Sequence, residues 1–137
     1  MAEVTIKTIA APAEAIFKEK RSKFLAFAYP VENEAEIKEK ITLLKKKYHD
    51  ARHHCYAYIL GADKSTYRMN DDGEPSGTAG RPIHGQLLSK EVTNVLIVVV
   101  RYFGGIKLGT GGLRVAYKLA AKEALENATI IEKIVAF

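Results

Sequence analysis

Two stretches hold most of the residues able to do chemistry. Residues 70–82 read NDDGEPSGTAGRP and residues 98–117 read VVVRYFGGIKLGTGGLRVAY. In the second stretch Gly104, Gly105, Gly109, Gly111 and Gly112 supply backbone that can take positive φ and come close to a ligand, then hand over to a helix start, which is the geometry of an anion nest. Arg114 stands in the first turn of that helix, where the macrodipole favours an anion, and a bound phosphate or carboxylate would offset the conflict. The first stretch, with Ser76, Gly77 and Thr78, is a second small-residue loop feeding a second helix start. If the strands before the two loops lie side by side and parallel, both loops open at one sheet edge and line one cleft, with Arg81, Arg101, Lys107 and Arg114 around it. Backbone amides and guanidinium forks both complement phosphate oxygens, so such a cleft suits a nucleotide or nucleic acid. The plainer reading is that the glycines permit tight turns and close packing. Neither loop has the spacing of a Walker or dinucleotide fingerprint.

Other constellations carry less. Asp71, Asp72 and Glu74 can hold a magnesium ion beside a phosphate, or simply form a polar turn whose carboxylates pair with arginines. Magnesium is the one cofactor the chain suggests. His49, His53, His54, Cys55 and His84 are too few at usable spacings for a closed zinc site. Cys55 follows His54 directly, so on a strand the two side chains point to opposite faces and the histidine cannot act as its base. Ser76 lacks the glycine two places earlier that a nucleophile elbow needs. With no nucleophile and base together, the chain leans away from being an enzyme, and the alternatives to a binding protein are a metal-assisted enzyme on a phosphorylated small molecule or a ligand-free protein-interaction domain. Tyr102 and Phe103 follow Arg101, and aromatics beside cations can stack bases of single-stranded nucleic acid or cap a core.

The elements that must position these residues follow from periodicity. Residues 4–9, 15–18 and 23–29 are three opening strands, with Pro12 breaking the first pair and Lys18, Lys20, Arg21 and Lys23 marking a solvated turn. Asn33 and Glu36 form a capping pattern before Ile37, Ile41, Leu44 and Tyr48 at helical spacing. Residues 53–60 and 66–69 form a hairpin, and a helix follows with Ile83, Leu87 and Leu88 inward. The unbroken apolar run 95–100 is a central strand buried on both faces. Leu113, Ala116, Tyr117, Ala120, Ala121, Ala124 and Leu125 are one helical stripe. A strand-like tail, IIEKIVAF, closes the chain. The order predicts an α/β (α+β) two-layer sandwich, a mixed sheet with helices on one face.

Bulk properties set the frame. At 137 residues and 47% hydrophobic the chain makes one domain with its own core. One cysteine excludes an internal disulfide. No basic-then-apolar leader or membrane-length apolar run is read, which predicts a cytoplasmic protein. The 21 Lys and Arg against 16 Asp and Glu give +5, tilting partners toward anions.

The two long stretches, with RSKFLAFA and HHCYAY, closely resemble the signature segments of the YigZ/IMPACT family. The resemblance implies an IMPACT N-terminal domain over 1–137, with the fold of the second domain of a small-subunit ribosomal protein. It also implies a place in regulation of translational initiation, and RNA, ribosome or protein partners. Bacterial relatives usually continue into a ferredoxin-like domain, which is expected to be absent here.

Overall fold

A computed structural model describes residues 2–136. Its elements are β1 (Glu3–Ile9), β2 (Ala13–Glu19), β3 (Ser22–Pro30), α1 (Glu34–Lys47), β4 (His53–Leu60), β5 (Thr66–Asn70), α2 (Gly80–Ser89), β6 (Val95–Tyr102), α3 (Gly109–Asn127) and β7 (Ile130–Ala136). This is the expected α+β class, with helices packed against sheets. The main sheet has the order β2-β3-β6-β4-β5, and β1 pairs with β7 in a separate two-stranded ribbon.

β6 is central, as its apolar run requires: its residues are buried as far as Arg101, with only Tyr102 partly open. Its two neighbours, however, both run antiparallel to it. The run therefore reports two covered faces and says nothing of strand direction. One face carries Phe24, Ala26, Cys55, Ala57, Ile97 and Val99 against Ile83 and Leu87 of α2 and the small-residue stripe of α3. The other carries Phe27, Tyr58, Leu96, Val98 and Val100 against Ile37 and Leu44 of α1. The helices expected on a single face thus divide between two, because β3, β4 and β6 are apolar on both sides and neither face can be left to water.

Every ladder among the described residues is antiparallel, so the parallel component of the expected mixed sheet is not found. β5 and β6 are parallel in direction but not side by side, since β4 lies between them and pairs antiparallel with each. Their C-terminal ends still open on one edge of the sheet.

Local signals hold where the physics is local. Asn33 caps α1 by accepting from the Glu36 amide at 2.9 Å, and acidic and basic turns complement its dipole. The stripe expected on α3 matches its buried residues. Leu88, expected inward on α2, is exposed, and Gln86 is buried in its stead.

Candidate functional site: a cleft between two glycine-rich loops

The loop after β5 turns back across the end of β4. Asp72 and Gly73 take φ of 41° and 84° there. The Asp71 carboxylate then accepts the amides of Gly77 at 2.9 Å, Ala79 at 3.2 Å and Gly80 at 2.8 Å. An anion therefore does occupy the start of α2, and it is the protein's own side chain. The loop fits tightly, because a Cβ on Gly80 would come within 2.8 Å of the Asn70 amide. Asp72 accepts the His54 amide at 2.6 Å, and the Asp72 carbonyl is 2.7 Å from Nδ1 of His53.

Glu74 points inward from the same loop and is 8% exposed. Its carboxylate accepts from Nη1 of Arg101 at 3.0 and 2.8 Å and from the Tyr117 hydroxyl, and lies 3.4 Å from Nε2 of His53. Arg101, 5% exposed at the end of β6, has its guanidinium against the rings of Phe24 and Phe103, each 5.5 Å away. Its Nε has no hydrogen-bond partner among the described residues. Tyr117 in turn lies 3.4 Å from the Cys55 sulfur. Burial, before any neighbour, pushes both the Cys55 thiol and the Tyr117 hydroxyl well above their ordinary pKa.

The second loop is held differently. A Cβ on Gly104 would stand 2.2 Å from the Arg21 carbonyl carbon and oxygen, so only glycine lets the β2–β3 turn close here. Gly105 and Gly109 have φ of 90° and 75°. α3 then begins with no side-chain cap at Leu108. No backbone acceptor meets the amides of Gly109, Thr110 or Gly111 among the described residues. Uncapped amides at a helix start carry the positive end of the macrodipole.

Both loops meet at one cleft of about 360 Å³, with Glu74 and Pro75 from the first, Lys107 to Thr110 from the second, and Arg52, His53, Arg101 and Phe103 between them. Of the residues expected at an anion site, Arg101, Lys107 and Gly109 come together here. Gly111 and Gly112 face an adjoining depression under the β2–β3 turn. Arg81 and Arg114 are exposed and outside the cleft lining. Ser76, Gly77 and Thr78 also lie outside it, with Thr78 buried and bonded to the Pro75 carbonyl. Gly104 and Gly105 shape the loop rather than line the cleft.

Tyr102 alternates to the opposite sheet face, where its hydroxyl donates to Asp50 at 2.8 Å. Burial, then that bond, push its pKa up to about 12. Asp71, Asp72 and Glu74 each serve a different set of partners, and among the described residues no three His, Cys, Asp or Glu side chains gather to hold a metal. The expected pairing of these carboxylates with arginines is met by Glu74 and Arg101, but which residues would meet, and Tyr117 among them, was not legible because they lie far apart in the chain and no spacing rule connects them.

The Impact N-terminal domain matches residues 20–125. IMPACT family member YvyE of Bacillus subtilis is 42% identical over 113 residues, covering 82% of this chain and 52% of its own. IMPACT family member YigZ of Escherichia coli is 40% identical over 126 residues, covering 90% and 62%. The chain thus spans about half to two thirds of the length of these relatives. A crystal structure of a hypothetical protein superposes with a TM-score of 0.90 at 38% identity, over 94% of this chain and 64% of that one. The two-domain translational regulator Yih1 superposes with a TM-score of 0.51 at 26% identity, over 89% and 47%. No helix among the described residues is long and apolar enough to cross a membrane.

Proposed function

Because the chain belongs to the IMPACT family, we propose that it is a translation-associated binding protein whose inter-loop cleft holds a phosphate of RNA or of the ribosome. One observation carries the reading: the uncapped start of α3 shares a cleft with a buried guanidinium whose Nε has no partner among the described residues. An anion in the cleft would meet the free amides and the positive end of the α3 dipole. The two loops divide the work. The first satisfies its own helix start with Asp71, while the second leaves its amides to a ligand. Lys107 and Arg52 stand exposed beside the same cleft.

Yih1 is a translational regulator. A part for this chain in regulating translation, in the cytoplasm and through RNA, the ribosome or a translation-factor partner, belongs to the same proposal.

RNA affinity measured against salt tests it. Each phosphate contact contributes a slope of about −0.7 in log K against log salt for a single strand. Lys107→Ala is expected to weaken binding and flatten the slope by about that amount. A salt-independent affinity, or a Lys107→Ala variant with unchanged slope, rejects the reading.

A further inference from the structure

A second groove adjoins the cleft, and nothing in the preceding reading uses it. It measures about 440 Å³, and none of its lining comes from α1. Its floor is Ile16, Leu25 and Tyr102, and its rim is Lys18, Arg21 and Lys23. Phe103, 37% exposed, lines both this groove and the cleft. One aromatic ring therefore forms a wall between an apolar, cation-rimmed groove and the candidate phosphate cleft. Ile16 is 59% exposed on the edge strand β2.

The rim is also held in advance. Lys20 and Arg21 form the two-residue turn between β2 and β3 with φ of 44° and 67°. Turns of this kind favour Asn-Gly, because side-chain-bearing residues are strained at positive φ. Of the two, Arg21 stands at this groove while Lys20 faces the depression under the turn, and the absence of a Cβ at Gly104 lets Arg21 pack against the second loop. Strain kept at a particular place points to a use for that place.

Resting on the phosphate reading of the cleft, we propose that the ligand is a single-stranded polynucleotide. One of its phosphates sits at the α3 start, and the neighbouring base lies against Phe103 in the second groove. Two features select this class. The Phe103 ring, which also carries the Arg52 and Arg101 guanidinium groups at 5.1 and 5.5 Å, suits the π-face of a base, and the lysine and arginine rim suits the backbone that continues past it. In a duplex the base faces are stacked on one another and cannot reach the ring.

The test uses fluorescence anisotropy with the full chain and a labelled RNA of about 12 nucleotides, within the usual site size, offered as a single strand and as a duplex. The variants are Phe103→Leu, which keeps apolar bulk without a flat ring, and Phe103→Tyr, which keeps the ring. Melting temperature confirms that both fold, and amide shifts at Gly109 to Gly111 on adding inorganic phosphate report the cleft separately. Single-strand affinity is expected to fall about 5- to 150-fold in Phe103→Leu, the range of one lost base stack, and to be retained in Phe103→Tyr. Duplex binding at equal strength, or Phe103→Leu binding as the parent does, overturns the inference. If phosphate still shifts the α3 amides in that case, the cleft reading stands; if it does not, both fall.

Discussion

Removing one member of the Glu74–Arg101 pair while leaving the other buried is the sharpest perturbation of the interior. At 2.8 Å and an effective dielectric near 20, the attraction between the two charges is about 6 kcal/mol. Desolvation costs several kcal/mol per ion, so the net worth of the pair is far smaller. A single substitution keeps the cost and deletes the gain. Arg101→Met leaves a carboxylate whose side chain is 3% exposed with only Tyr117 and His53 beside it, and is expected to cost about 3–5 kcal/mol. Glu74→Gln leaves the guanidinium buried and is expected to cost about 2–4 kcal/mol. The double variant removes both charges and is expected to cost no more than the worse single one, a coupling of at least about 2 kcal/mol. Urea unfolding at neutral pH, extrapolated linearly with a common m-value, measures all four corners of the cycle. Additive costs, with coupling below about 0.5 kcal/mol, would refute the pairing and mean that something other than Glu74 holds Arg101 at the cleft.

Three further outcomes follow from the same geometry. Asp71→Ala removes the acceptor of three amides at the start of α2 and is expected to destabilise by about 2 kcal/mol in urea unfolding, with Asp71→Asn recovering part of the loss. Gly104→Ala drives a methyl into the Arg21 backbone and is expected to cost about 3 kcal/mol, whereas Gly111→Ala, with open space around it, is expected to be near neutral or slightly stabilising. Cys55 has its pKa raised from an ordinary 9.0, so its contribution to stability is complete below pH 9 and is lost as pH rises above it. Unfolding free energy is expected to fall more steeply between about pH 9 and 10.5 in the parent than in Cys55→Ala, and the thiol is expected to resist a disulfide reagent until urea opens the fold.

How much of this was legible in the sequence depends on the range of each interaction. The capping pair Asn33 and Glu36 and the stripe from Leu113 to Leu125 are decided within one or two helical turns, and both were readable. The core strand β6 was readable as buried, but an apolar run looks the same in a parallel sheet and in an antiparallel sheet covered on both faces. The partner of β1 is β7, at the far end of the chain, and no local pattern announces such a pairing. In the site, the meeting of the two loops was anticipated, although β4 intervenes between the strands that lead into them. What sequence reading misassigned was the first loop. Asp71 acts on Gly80 nine positions away, beyond the reach of any capping signature, so a helix start that looked open is filled from within. The same distance problem hid the convergence of Glu74, Arg101 and Tyr117.

The central claim is that the start of α3, unlike that of α2, receives an anion from outside. Backbone amide shifts of the labelled chain during a titration with inorganic phosphate test it most directly. Saturable shifts at Gly109, Thr110 and Gly111, weakened in Lys107→Ala, with Gly77, Ala79 and Gly80 unmoved, are the expected result. Amides at 109–111 that stay in place while phosphate reaches saturating concentration would contradict it.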